Sequence, residues 1–307
     1  MLNSLLDTLQ HADVRRLAWA IGSPSLFDAE NAAWQGRLRS DAWSAQELAR
    51  CTDWLHATDC EPSAFQASLG DPLVNTPLGH TFEKFVLFWQ AARPDVRAAT
   101  RGLIVRTGGR TVGEFDVVLL RHDGVIETLE VTVKYYLNLH PEHGMAGCFG
   151  PRAFDRMTDK YSKMTTRQTD LGHTEAGRLA ICRWLETACG ETRTPEALIV
   201  DNYALARGYV FHPSSDAVIP AELSPQHGRG VWQTDALALP EHAAHVWRNL
   251  SSREWLGPYR GVATESGWPN DPAMPRMYAR LVQRGEQWTE SERRFVVRAE
   301  SGLLKSA

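Results

Sequence analysis

Four side chains in this 307-residue chain have the types and spacing for metal-assisted chemistry: Glu83, Asp116, Glu130 and Lys134. Asp116 lies in "TVGEFDVVLL" (111–120), and Glu130 and Lys134 lie in "LEVTVKYYL" (129–137). Carboxylates drawn to one point repel unless a cation joins them. Mg²⁺ (or Mn²⁺) suits such a place because it takes oxygen ligands and keeps several waters. A lysine beside the ion can orient a water and stabilise charge developing on a phosphate.

The elements around these residues bring them within reach of one another. "LEVTVKYY" alternates, so Val131, Val133 and Tyr135 share one face of a strand and Glu130, Thr132 and Lys134 the other. That polar face is either plain solvated surface, with an ordinary Glu–Lys ion pair, or the lining of a site. "TVGEFDVVLL" is apolar on both faces and reads as a central strand, where an aspartate is costly unless paired or bound to a cation. Its neighbours are "GLIVRT" (102–107) and "VIETLEVTVKYYL" (125–137), joined through Gly108-Gly109 and His122-Asp123-Gly124, both short enough for hairpins. An antiparallel pairing of 111–120 with 125–137 can set Asp116 beside Glu130. Thr76-Pro77 predicts a helix start, with Thr76 capping and Pro77 in the first turn. That helix carries Phe82, Phe85, Val86 and Trp89 as an apolar stripe, with Glu83 at its edge.

Upstream, 1–58 reads helical, broken at Ser23-Pro24 and with Ser44 as a cap. Downstream, 152–168 predicts a helix on which Arg152, Arg156, Lys160, Lys163 and Arg167 fall within an arc of roughly 80°. Phe154, Met157, Tyr161 and Met164 form its apolar stripe, and Asp155 and Asp159 take the remaining side. Such a basic stripe is either solvated surface or a phosphate contact. "EAGRLAICRWLETA" predicts another helix and "GYVFHP" (208–213) a strand, while "ALIVDNYALA" between them fits either. From Pro240 onward the pattern reads helical again. The fold expected is a single-domain mixed α/β chain over 1–307: a helical extension at 1–75, a core at 76–213, and a mainly helical extension at 214–307.

Composition narrows the classes. The net charge of −4 argues against a protein that coats nucleic acid non-specifically, without excluding a local basic groove. No stretch approaches the roughly 18 apolar residues of a membrane span, and the first residues have no signal-peptide core. The five cysteines include no CxxC pair, which fits a reduced, cytoplasmic protein without disulfides or a cysteine zinc site. GxSxG, HExxH and GxxxxGK[ST] are absent, removing the commonest serine-hydrolase, zinc-protease and P-loop chemistries. "GGRTVG" is a hairpin turn with no helix after it. His140 and His143 in "HPEHG" lack the spacing of a zinc motif and are taken as incidental.

The run "LGHTFE … GEFDVV … LEVTVKYYL" resembles the PD-(D/E)XK nuclease superfamily. The whole chain resembles more closely the bacterial family named domain of unknown function 1853, itself placed in that superfamily. The matching pieces are "VRRLAWAIGSPSL", "LGHTFE", "GRTVGEFDVVL", "LEVTVKYYL", "GPRAFDRMTDKYSKMTTRQ", "GYVFHP" and "SSREWLGP". The resemblance implies a restriction-endonuclease-like core, with Glu83, Asp116 and Glu130 as metal ligands and Asp116, Glu130 and Lys134 as the catalytic group. The superfamily's carboxylate–any–lysine pattern would put the acid at 132, where this chain has Thr132. Glu130 and Lys134 lie about 13 Å apart along an ideal strand, a gap that long side chains or a bulge could close. The function expected is Mg²⁺-dependent hydrolysis of phosphodiesters in nucleic acid, DNA first. The rivals are a nuclease-fold protein that binds nucleic acid without cutting, and a non-enzymatic interaction protein.

Overall fold

A computed structural model describes residues 1–70, 76–151, 154–234, 245–262, 276–297 and 304. Contacts divide the chain into two compact units, neither continuous in sequence. A terminal unit comprises Met1–Asp28, Lys134–Lys160 and Arg207–Ala307; a central unit comprises Ala29–Val133 and Tyr161–Ala206. Among the described residues, ten strands form a mixed sheet. Its main order is β1 (Val96–Thr107), β2 (Arg110–Arg121), β3 (Ile126–Asn138), β5 (Val200–His212), β6 (Gly228–Thr234), β10 (Gln287–Val297), β9 (Arg276–Arg284) and β7 (His245–Asn249), with β4 (Cys148–Phe149) beside β3 and β8 (Arg260–Gly261) beside β10. Among the described residues, no helix is long and apolar enough to cross a membrane.

In the central unit, α3 (Asp41–Cys60) is capped by Ser40, whose Oγ accepts the Trp43 N–H at 3.1 Å. The expected cap, Ser44, is buried one turn inside and donates back to the Ser40 carbonyl. After α4 (Ser63–Leu69), α5 spans Leu78–Ala91, with Pro77 itself in the cap position and no side-chain cap bond. Proline's fixed φ suits that entry. Phe82, Phe85, Val86 and Trp89 are all buried, as the stripe predicts, and α5 packs on β1 (Val96–Thr107) and β2 (Arg110–Arg121).

Gly108 and Gly109 turn β1 into β2 at φ of 56° and 78°, values only glycine adopts cheaply. β2 then pairs antiparallel with β3 (Ile126–Asn138) in the register Val117↔Leu129 and Leu120↔Ile126. The predicted meander is therefore present, with β1 longer at its start than "GLIVRT" alone. Val118, Leu120 and Ile126 pack with Ile181 and Trp184 of α7 (Glu175–Trp184), so β2 is covered on both faces. Each fully buried aliphatic contributes about 1.5–3 kcal/mol. The ambiguous "ALIVDNYALA" is strand: it begins β5 (Val200–His212), which "GYVFHP" completes.

In the terminal unit, α1 (Leu2–Thr8) and α2 (Ala12–Gly22) precede the break at Ser23-Pro24. Buried Arg207 of β5 donates to the Ala20 and Ile21 carbonyls at the end of α2. Where a helical extension was expected after 214, the described residues form mainly strands, β6 (Gly228–Thr234), β7 (His245–Asn249), β8 (Arg260–Gly261), β9 (Arg276–Arg284) and β10 (Gln287–Val297), with a 3₁₀ turn at Ser252–Trp255. The parts of that expectation on 235–244 and 263–275 lie outside the described residues. In "RMYARLVQR" the pairs Met277/Leu281 and Tyr278/Val282 mimic helical spacing. Met277, Ala279 and Leu281 equally fit a strand period of two, and all three are fully buried. Gly285 at φ 62° closes the two-residue β9–β10 turn, a hairpin signal that the helical reading passed over.

Candidate functional site

The face of β3 carrying Glu130 and Thr132 is not solvated. Each residue is only 6% exposed, no more than the apolar Val131 (6%) and Val133 (7%) on the other side. The plain-surface reading of this strand fails. A buried glutamate needs partners, because an isolated charge away from water is heavily penalised.

Asp116 lies where the β2–β3 ladder stops. The last backbone pair is Val117↔Leu129, and one step further Asp116 faces Glu130. There the Asp116 carboxylate replaces the backbone ladder: Oδ2 accepts the Val131 N–H at 2.7 Å. The aspartate thus has a structural duty at the end of the ladder.

Glu83, half-buried on α5, sits 3.4 Å from an Arg101 Nη atom. Its carboxyl is pushed up from the usual range, first by burial and next by the negative charge of Asp116, against the opposing influence of His80 and Arg101. Like charges crowd this part of the central unit. Glu83, Asp116 and Glu130 are oxygen donors of one unit, but their carboxylate oxygens do not all come within 4.8 Å of one another, as the ligand atoms of His140, Glu142 and His143 do. Glu127, three residues before Glu130, is differently committed: it accepts from Arg93 at 2.7 Å and from Arg121 at 3.2 Å, a buried structural network.

Lys134 belongs to the terminal unit, where its ammonium lies 2.6 Å from Asp155. Asp155 was expected on the far side of a helix, but that helix starts later. α6 is Met157–Lys163, followed by a π-type stretch over Met164–Gln168. Thr165 and Thr166 bond back to carbonyls one turn earlier, and Thr169 Oγ1 bonds the Met164 carbonyl at 2.8 Å; such back-bonding loosens the α pitch. Lys163 and Arg167 are exposed, and with Val112, Gly113, Glu114, Gln168 and Leu171 they line a cavity of about 210 Å³ in the central unit. The π pitch carries Arg167 off the α-helical arc drawn from Arg156. Arg156 precedes α6, exposed, with its guanidinium 5.6 Å from the Phe149 ring centre. Lys160 is half-buried, Arg152 lies outside the described residues, and Phe154 is 80% exposed rather than part of an apolar stripe.

A family model described as a domain of unknown function, DUF1853, matches residues 15–297. The chain belongs to the DUF1853 family. No curated protein and no solved structure matches it. The DUF1853 match takes in Glu83, Asp116, Glu130, Lys134 and every basic residue of the 152–167 run.

One grouping was set aside in the sequence reading, and a second escaped it. His140, Glu142 and His143 bring their ligand atoms within 4.8 Å of one another in the turn after β3. His212 and His227, both buried, face each other with Nε2 atoms 3.5 Å apart. The first carried a signal in "HPEHG", since one tight turn brings residues three apart together. The second carried none, because its members come from β5 and the loop before β6.

Proposed function

We propose that this DUF1853 chain is a metal-dependent phosphodiesterase acting on nucleic acid, with DNA as the first substrate to test. The observation that carries the reading is the gathering of like charges: Glu83 raised by burial and by Asp116, and Asp116 facing buried Glu130 at the end of the ladder. Mg²⁺ or Mn²⁺ held by these three carboxylates would neutralise their repulsion, offset phosphate charge and acidify a bound water. The resemblance to PD-(D/E)XK nucleases supports the same reading.

The protein's own groups have separable tasks. Asp116 uses Oδ2 to hold the Val131 N–H, which fixes the carboxylate's direction before anything binds. Lys163 and Arg167 line an exposed cavity, and in this reading they would meet phosphate oxygens, contacts that set register without reading sequence. Lys134 pairs with Asp155, and that pair must open before its ammonium can serve chemistry. This last point favours one rival, a nuclease-fold protein that binds nucleic acid without cutting.

The deciding experiment measures cleavage of single- and double-stranded DNA and of RNA with and without Mg²⁺ or Mn²⁺. Wild type should cut, and Asp116→Asn should lose activity by about 10²-fold or more, the scale of one lost electrostatic contributor. Lys134→Ala should slow cleavage while leaving metal affinity intact. Binding without cleavage by wild type selects the non-cutting rival. No binding and no cleavage removes both.

A further inference from the structure

We infer that His140, Glu142 and His143 form a binding site for a borderline divalent transition ion, with Zn²⁺ as its natural occupant. The donor set is two imidazoles and one carboxylate, all ligand atoms lying within 4.8 Å of one another. His140 Nδ1 is already 3.3 Å from Glu142 Oε1, and the two imidazole rings stack with centres 5.5 Å apart at 29°. Imidazole nitrogen with carboxylate suits Zn²⁺, Ni²⁺ or Co²⁺ and not Mg²⁺, which prefers oxygen throughout.

The backbone explains why these side chains meet. His140 leads into a 3₁₀ segment, Pro141–Gly147, and the His143 N–H donates to the His140 carbonyl at 2.9 Å. With three residues per turn, positions i and i+3 lie one above the other. Pro141 fixes the first step of that turn. The base of the loop is closed by the N–H groups of Leu139 and His140, both donating to the Gly147 carbonyl at 2.9 and 3.4 Å. Gly147 is required there, since a Cβ would lie 2.0 Å from the His140 carbonyl oxygen. Gly144, at φ 58°, reverses the chain directly after His143. The backbone is thus set while the side chains remain accessible, His140 at 34% and Glu142 at 63% exposed.

A tetrahedral ion with bonds near 2.0–2.1 Å holds neighbouring donors roughly 3.4 Å apart. Drawing the present donors that close needs only side-chain torsions. Three protein ligands leave at least one coordination position for water or another ligand. The site uses none of the carboxylates proposed for Mg²⁺, so the two readings stand or fall separately.

The test is Zn²⁺ titration of the untagged full chain by calorimetry in excess Mg²⁺, with the Co²⁺ absorption spectrum as a second readout. Wild type should bind one ion. His140→Ala/His143→Ala should lose more than the roughly 10–100-fold that removal of an outer partner costs. Glu142→Gln should bind more weakly than wild type, while Asp116→Asn and His227→Gln should match it. Unchanged affinity in the double histidine variant, loss in His227→Gln instead, or no Zn²⁺ binding by wild type would overturn the assignment.

Discussion

The carboxylates of the central unit and the buried histidines of the terminal unit solve opposite problems. Around Glu83 and Asp116, negative groups are held together, and burial followed by Asp116 makes the Glu83 charge less favourable. Around His212, charge is kept out. Asn138 Nδ2 approaches His212 Nδ1 at 3.4 Å, the two Nε2 atoms meet at 3.5 Å, and His227 Nδ1 lies 2.6 Å from the Ser224 carbonyl. One proton arrangement satisfies this chain. The Asn138 amide donates to His212 Nδ1, His212 Nε2–H donates to His227 Nε2, and His227 Nδ1–H donates to the carbonyl. Every contact is then a donor meeting an acceptor, with no added proton on His212. A polar group that completes itself inside the fold supports stability. One that crowds a single charge sign does so at a cost to stability, and that cost is the physical mark of a place suited to binding something.

The largest expected effect tests the neutral side of this contrast. Burial, followed by the charges of His227 and Arg229, lowers the His212 pKa from 6.5 to about 4. Its folded value is depressed, so its contribution is present above the unfolded pKa and is lost as pH falls from 6.5 towards 4. The contribution at stake is about 2 kcal/mol. His212→Gln keeps an amide N–H near His227 and cannot take up a proton. Urea melts at pH 7 and pH 4.5 should show wild type losing stability more steeply than the variant. Equal acid slopes would mean that the pair does not exclude charge.

These two groups also differ in how far the sequence announces them. Alternation over 129–136 and a glycine turn placed β2 against β3, and that register alone set Asp116 opposite Glu130. Local pattern sufficed because the partners are joined by a four-residue connection. The His212–His227 pair depends on where separate strands come to rest, which no local period encodes. The C-terminal strands failed for another reason: in "RMYARLVQR" a short apolar run satisfies both periods, and only Gly285 at the turn decides between them. Helix 152–168 failed locally too, since three threonines compete for its carbonyls and reset its pitch. Phe154 and Asp155, placed on that helix by counting, lie before it, which is why Lys134 has a partner the sequence did not suggest.

Cations separate the groups a second way. A carboxylate centre that receives a polyanion needs positive charge nearby to meet phosphates, whereas the imidazole chain needs none. Lys163→Ala/Arg167→Ala should weaken binding of all nucleic-acid sequences alike. It should also lower the slope of log affinity against log salt by about 1.8, two contacts at roughly 0.9 each. The His212→Gln protein should keep the wild-type slope. Titrations of a fluorescent duplex across a salt series measure both. An unchanged slope in the double variant would make these two residues ordinary surface.

The smallest effect is the most direct test of charge crowding. Glu83 has a folded pKa raised by burial and by Asp116, so its contribution is favourable below the unfolded pKa and is lost as pH rises through the folded value. Above that folded value the fold bears the whole penalty. Glu83→Gln removes the charge and keeps the shape, so it should raise Tm by about 1–2 °C at pH 7 and leave it unchanged near pH 4. Arg101, 3.4 Å away, pulls the other way and limits the gain. Mg²⁺ should then raise the melting temperature of wild type more than that of the variant, because an ion that binds only the native state stabilises it by an amount that grows with the logarithm of its affinity. A variant that melts below wild type at pH 7 would show the Arg101 pair outweighing the repulsion, and Glu83 would then be a structural residue rather than a ligand.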